Sequence, residues 1–247
     1  MTTRYQEIAR ELRDRIENGT YPPGSKIPAI PELMDHHEVA RDTVRDAIAR
    51  LTHEGLVTPR RGIGTVVRDN TPVALAYRPG KASPVWADQA DEGSNSDRVV
   101  EAGWSTPDRG VMERLEIPAK SEVVRRLRHQ HKGQALAQIM EQWIPDFVAT
   151  AIANNGTDLA NVEVIPSTDL FSLMRRAGEA PSTVKETVST RMPTPDEAEL
   201  MELPAGVPVL ITYRVTKNGS GSPLETSTFV GAGDRMSQSF LVNVDMD

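Results

Sequence analysis

The sequence predicts an α+β protein in two parts, and three observations carry that expectation. Within the first 55 residues, three short stretches repeat apolar side chains every three to four positions, the spacing of one helix face. A hairpin pattern bearing arginine and glycine follows directly. The second half of the chain is mostly strand-like, broken by turn residues, with a few helical segments between, which describes an antiparallel sheet with helices packed on it.

The first helix carries Tyr5, Ile8, Ala9, Leu12 and Ile16 on one face, and Asn18-Gly19 can stop it. Pro22-Pro23-Gly24 is a turn signal, and Ile30, Leu33 and Met34 mark a second helix ending near His36-His37. In the third, Val44, Ala47, Ile48 and Leu51 share the apolar face, while Asp42, Thr43, Arg45, Asp46 and Arg50 lie around the other; it ends at Glu54-Gly55. Strands at residues 56–58 and 65–67 flank a turn, Arg60-Arg61-Gly62-Ile63-Gly64. Three helices followed by a basic hairpin describe a winged helix-turn-helix.

Residues 69–98, rich in Pro, Ala, Gly, Ser and Asp, read as linker and loop. Beyond them, Thr106-Pro107-Asp108 reads as an N-cap with proline at the first helical position, opening a helix to Leu115. Residues 123–132 and 135–144 form a long hairpin about Gly133-Gln134, and Pro145 breaks the second strand. A helix near 168–176 leads to a strand over 182–191, and Thr194 and Glu197 have capping-box spacing for a short helix. Strands at 209–216, 224–230 and 240–244 close the chain, and Gly219-Ser220-Gly221 and Gly231-Ala232-Gly233 read as hairpin turns. The expected division is residues 1–68 as the winged helix-turn-helix, 69–84 as linker and 85–247 as the second domain.

Composition narrows the function. With 38% hydrophobic and 26% charged residues, 247 residues can bury a real core in two domains. The absence of cysteine excludes a disulfide framework, thiolate metal sites and cysteine nucleophiles, and suits a reducing cytoplasm. No apolar run fits a signal peptide or membrane span. Arg outnumbers Lys 22 to 6, a skew of GC-rich bacterial genomes. The net charge of −7 is uneven: residues 1–70 hold 11 basic and 11 acidic groups, so the whole acidic excess lies beyond them. An acidic protein can still carry a local DNA-binding surface.

The polar face of the third helix can enter a major groove. Arg45 can pair with a guanine edge, Thr43 can touch a phosphate or thymine methyl, and Arg41, in the first turn, can reach a phosphate. On the wing, Arg60 and Arg61 can contact phosphates or enter the minor groove, with Gly62 permitting close approach. The alternative is a solvated face on which Arg41, Arg45 and Arg50 pair with Asp42, Asp46 and Glu54, but that leaves the hairpin tip without a role.

The run Tyr5-Gln6-Glu7-Ile8-Ala9, then Val39-Ala40-Arg41-Asp42-Thr43-Val44-Arg45, Glu54-Gly55-Leu56-Val57 and Gly62-Ile63-Gly64-Thr65-Val66-Val67, closely resembles the DNA-binding domain of GntR-family bacterial transcription regulators over residues 4–67. The resemblance implies homodimeric operator binding, with matches at Arg41, Thr43, Arg45 and Gly62. Two departures stand out. Ala40 replaces a hydroxyl residue before the recognition-helix arginine, removing an N-cap worth about 1 kcal/mol. Pro28-Ala29-Ile30-Pro31 replaces the usual Pro-Ser-Glu start of the second helix, with no basic residue at position 31, so one family DNA contact is missing.

Residues 85–245 resemble, more loosely, the effector-sensing UTRA domain of the HutC-type subfamily, with its chorismate-lyase-like α+β fold. The matching segments are Leu115-Glu116-Ile117-Pro118, residues 122–128, Glu141, Leu170-Phe171-Ser172-Leu173 and Pro223-Leu224-Glu225-Thr226-Ser227. Arg126 and Arg128, two apart on a strand, share a face and can bind a carboxylate or phosphate; Glu141 and Glu225 can accept from hydroxyl, amide or amine groups. The resemblance carries Arg126, Arg128, Glu141 and Glu225 over as effector contacts; the alternative is an outward ladder pairing these arginines with the glutamates. At the position where the family often has an anion-holding serine stands Asp169, so Ser167 or Thr168 substitutes or the effector is not a sugar phosphate.

His129 and His131 alternate onto one strand face without a carboxylate cluster to make a metal site, and a solvated strand is the expectation. No catalytic residue, cofactor or metal is expected. The resulting expectation is a cytoplasmic, nucleoid-associated repressor that binds double-stranded operator DNA as a homodimer and responds to a small-molecule effector. Its rivals are a constitutive plasmid or transfer-locus repressor whose second domain only dimerises, and an enzyme using that domain, which leaves residues 4–67 unexplained.

Overall fold

The computed structural model describes residues 3–69, 73–77, 85–86, 95–133, 135–164 and 170–240. The chain divides into two compact units: Met1–Pro72 with Met192–Pro208, and Val73–Arg191 with Val209–Asp247.

The first unit opens with α1 (Arg4–Glu17), α2 (Ile30–His37) and α3 (Arg41–His53). The apolar stripes of the helices meet in one core of Ile8, Ala9, Leu12, Leu33, Val44, Ala47, Ile48 and Leu51, closed by Val57 and Val67 of the hairpin. At the start of α2 the Ala29 N–H donates to Glu32 at 2.7 Å, while α3 begins at Ala40 with no side-chain cap. The wing is β1 (Val57–Arg60) paired antiparallel with β2 (Gly64–Val67), Arg60 opposite Gly64. Gly62 at its tip has φ +76°, a conformation that favours glycine. Residues 192–208, which the sequence assigns with the second domain, belong to this unit and carry α7 (Pro195–Leu200). As expected, Thr194 and Glu197 cap α7 reciprocally, at 2.8 and 3.2 Å.

The second unit is built on a six-stranded antiparallel sheet, in the order β5 (Asn95–Ser105), β6 (Val123–Lys132), β7 (Ala135–Pro145), β10 (Pro223–Ala232), β9 (Val209–Asn218), β8 (Pro181–Arg191). On one face α4 (Arg109–Leu115) packs Val111 and Leu115 against Val123 and Trp143. On the other, α5 (Asp146–Ala153) and α6 (Leu170–Arg176) cover Val124, Ile144 and Leu224.

Several sequence expectations are corrected here. Asp108, not Thr106, caps α4, its carboxylate accepting the Val111 N–H at 2.8 Å. Helix α5 follows directly after Pro145, where only a break was expected. The stretch read as linker and loop contains β3 (Val73–Tyr77), β4 (Val85–Trp86) and the start of β5. Strand β3 finds its partner far along the chain, in β11 (Met236–Phe240), and such pairing leaves no local signal. Among the described residues the last strand is β11, and residues 241–244 of the expected one lie outside them. Gly231 and Ala232 end β10, and the turn after them leads into another sheet, not back along a hairpin.

Candidate nucleic-acid interface and effector site

The third helix keeps Val44, Ala47, Ile48 and Leu51 inward, and this turns Arg41 and Arg45 fully outward and Thr43 partly so. The Arg45 guanidinium lies 3.8 Å from Asp42, both exposed, a contact too loose and wet to hold it. Arg50, by contrast, is taken up by Glu54 at 3.0 Å, and Glu54 also binds Arg13 at 2.6 Å. A cavity of about 490 Å³ lies between α3 and the wing, lined in part by Arg45, Ile48, Thr52, His53, Pro59 and Ala205. Arg61 and Gly62 are exposed at the wing tip. Among the described residues neither Arg41 nor Arg61 has an ion-pair partner.

Arg60 behaves differently. Its guanidinium meets the Glu202 carboxylate at 3.1 Å, and Arg68 donates to the Glu202 carbonyl at 2.6 Å. Residues 202–206 are seated beside the wing and the end of α3: Gly55 lies against Pro204 and Val207, and a Cβ on Gly206 would stand 3.0 Å from the His53 ring. Gly206 also has φ +89°, so only glycine fits both the backbone and the space.

In the second unit, strand register sorts the expected effector residues. Opposed residues run across the sheet as Arg126, Gln142, Ser227, Arg214 and Glu186, all on one face. Arg126, 1% exposed, donates to the carbonyls of Leu159 and Val164, each at 2.6 Å. Among the described residues its buried Nε has no hydrogen-bond partner. Burial, reinforced by Arg128, pushes its pKa down to about 10, so it remains charged at neutral pH at an energetic cost. Arg128, on the same face, is held by Asp97 and reaches toward Met140.

Glu225 is equally buried and accepts from Thr216 at 2.8 Å, Ser227 at 2.5 Å and Gln142 at 3.4 Å. Arg214 pairs with Glu186 at 2.6 Å and lies over the Phe229 ring. Glu141 is not part of this group. It stands opposite Leu127 on the other face and pairs with Arg125, which also binds Glu101. The arginine that pairs with a glutamate ladder is therefore Arg125; Arg126 and Arg128 turn inward. Asp169, Ser167 and Thr168 lie outside the described residues.

Sequence reading missed Gln142, Arg214 and Ser227. Alternation marks which residues of one strand share a face, but the row across strands exists only once the register is known. His129 and His131 share a face, their ring centroids 6.3 Å apart. Burial, then His131 and Arg98, hold the His129 pKa below its ordinary value.

Comparison with known proteins supplies the context. Residues 4–67 match the family described as bacterial regulatory proteins, gntR family, and residues 94–237 match the UTRA domain. The HTH-type transcriptional regulator SCO4628 of Streptomyces coelicolor is 26% identical, the match covering 96% of this chain and 91% of that protein. The HTH-type transcriptional regulator GgaR of Escherichia coli K12 is 25% identical, over 92% of this chain and 86% of its own. Among solved structures, PhnF from Mycobacterium smegmatis superposes with a TM-score of 0.57 at 22% identity, covering 98% of this chain and all of that one, a likeness of fold. Among the described residues no helix is long and apolar enough to cross a membrane.

Proposed function

The chain belongs to the GntR family of bacterial regulatory proteins, in its UTRA-domain form, and from that premise we propose that it is an effector-responsive repressor binding a pseudo-palindromic operator as a homodimer. DNA binding and an effector domain come with the family; the repressor role, the operator symmetry, the dimer and the site residues are our reading. The observation that carries it is the buried row Arg126, Gln142, Ser227, Arg214 with Glu225 beside it. A sheet interior of this kind is costly unless it is used, because buried charge and unpaired donors oppose folding.

On the DNA side, Arg45 reads a guanine edge in the major groove, Arg41 and Thr43 set the register on phosphates, and Arg61 with Gly62 brings the wing to the backbone. Helix α3 starts without a side-chain cap, which leaves its first N–H groups free to meet a phosphate. Arg60 joins these contacts only when it leaves Glu202, so the 192–208 segment regulates how much of the wing is available. On the effector side, Arg126 and Arg128 receive the anionic end of a small molecule, and Glu225 with Gln142 receives its hydroxyl or amine groups. The effector acts by favouring one arrangement of the two heads of the dimer over another. The second copy docks along β8, an outer strand of the sheet whose Val184 and Val188 are exposed.

The test is binding of the full chain to DNA from upstream of its own gene at two salt concentrations, beside an Arg45→Ala variant, with light scattering for the oligomeric state. Tight, salt-sensitive binding by a dimer, lost in the variant, is expected. Binding no better than to random DNA, or a monomer on the operator, would refute the reading.

A further inference from the structure

Where α1 and α2 meet, three side chains that take no part in the core or in the DNA surface point at one another. Glu11 lies on α1, and His36 and His37 are the last two residues of α2. The Nε2 atom of His36 is 3.9 Å from Glu11 Oε1, and the Nε2 atom of His37 is 3.9 Å from Oε2. The ligand atoms of all three lie within 4.8 Å of one another. Adjacent residues on a helix project about 100° apart, so their side chains ordinarily diverge. Here both rings bring the same nitrogen to one carboxylate, edge to face with centroids 4.7 Å apart.

Two of the three groups are already fixed from behind. The His37 side chain is 13% exposed and its carbonyl accepts from Arg4 at 3.1 Å. Arg15 grips Glu11 Oε1 at 2.7 Å and is itself braced by the Tyr21 hydroxyl, which fixes the carboxylate with Oε2 toward His37 and Oε1 shared between Arg15 and the His36 side. At 3.9 Å neither imidazole is hydrogen-bonded to the carboxylate, so the three donors surround a space and do not satisfy one another. A tetrahedral cation with bonds of about 2.0–2.2 Å holds its ligands roughly 3.3–3.6 Å apart; the 3.9 Å His–Glu separations need to close by about half an ångström at most, and the widest pair, up to 4.8 Å, by up to about 1.5 Å, which side-chain rotation supplies.

We propose that Glu11, His36 and His37 form a binding site for Zn²⁺ or a chemically similar first-row divalent cation. Two imidazole nitrogens and one carboxylate oxygen are the ligand types that select zinc, nickel or copper over magnesium or calcium. The exposed side of His36 leaves the fourth position to water. The bound cation ties the end of α2 to the middle of α1, and α3 begins at Arg41, four residues beyond His37. Occupancy therefore fixes the joint from which the recognition helix is presented.

The test is titration of the full chain, stripped with a chelator, with ZnCl₂ against a chromophoric zinc indicator. Glu11→Gln and His36→Ala are run in parallel, with His131→Ala as the control on the other histidine pair. One zinc per chain with micromolar affinity is expected, weakened at least about tenfold in the first two variants and unchanged in the third. Zinc at a hundredfold excess over Kd should raise the folded-to-unfolded ratio of the first unit by about a hundredfold. X-ray absorption should find two imidazole nitrogens and carboxylate oxygen on the metal. His36 is exposed and Glu11→Gln keeps an acceptor for Arg15, so both variants fold, as circular dichroism would verify. No binding in the micromolar range, wild-type affinity in Glu11→Gln and His36→Ala, or loss in His131→Ala would each overturn the site.

Discussion

Replacing Arg126 by methionine tests whether the buried row exists for a ligand or for the fold. Burial lowers its pKa to about 10, so the charged form is held at a cost of about 3 kcal/mol. Its two hydrogen bonds to the Leu159 and Val164 carbonyls offset this by about 1.5–3 kcal/mol each. Methionine keeps much of the apolar stem and removes both effects, so the variant should be less stable by about 0–3 kcal/mol. Its affinity for an anion should fall about a hundredfold, about 2.7 kcal/mol, the value of one hydrogen bond to a charged donor. Urea unfolding of the full chain, read through the transition of the second unit, gives the first quantity. Calorimetric titration with inorganic phosphate, a hexose phosphate and simple carboxylates gives the second. A loss above about 5 kcal/mol would make Arg126 a structural anchor. Equal anion binding by wild type and variant, or none by the wild type, would refute the anion role.

Further outcomes follow from the same geometry. Arg45→Ala should weaken operator binding about 10- to 100-fold in fluorescence anisotropy, and an unchanged Kd would remove Arg45 as the reader. Glu202→Gln should free Arg60 and tighten DNA binding by at most about fivefold, since an exposed ion pair is worth no more than about 1 kcal/mol; no change would mean that the pair does not withhold the wing. Gly206→Ala should destabilise the first unit by about 2 kcal/mol in thermal unfolding, combining the φ penalty with the approach to His53. Acidification should cost stability through His129. Its folded pKa lies below the ordinary 6.5, so the unfolded chain takes the proton first. The stability it contributes is complete above about pH 6.5 and is lost as the pH falls from there toward the folded pKa. Melting temperatures between about pH 7.5 and 5 should therefore fall less in His129→Gln than in wild type.

The head was legible because its information is local. The helix-period stripes of α1 to α3, the stops at Asn18-Gly19 and Gly55 and the Gly62 turn are each written within a few residues. The bare start of α3 at Ala40 was readable for the same reason. Helix α5 escaped because Asp146–Ala153 is apolar or small nearly throughout, which blurs helix and strand periods. Strand β3 escaped because its partner β11 lies far along the chain, and β4, two residues long and paired only with β3 among the described residues, is too short to show a period. The candidate site divides along the same line: strand alternation joins Arg126 to Arg128, yet register across four strands is needed to separate Glu141 from Glu225 and to bring in Arg214. Likewise, the engagement of Arg60 by Glu202 joins positions 142 residues apart in the chain.

The inclusion of residues 192–208 in the first unit bears on how such regulators are assembled and dismantled. The backbone passes between the units at three places, after residues 72, 191 and 208. A protease cutting the stretch after the wing would sever one of these and leave the other two intact, so limited digestion would nick the protein without freeing its head. A gene fragment ending at that stretch would encode a winged helix lacking Glu202, Pro204 and Gly206, with Arg60, Gly55 and His53 stripped of their neighbours. Transplanting this head onto a different sensor by a single recombination would thus deliver an incomplete part. The exchangeable module is discontinuous, and its second piece, between β8 and β9, has to travel with the sheet it interrupts.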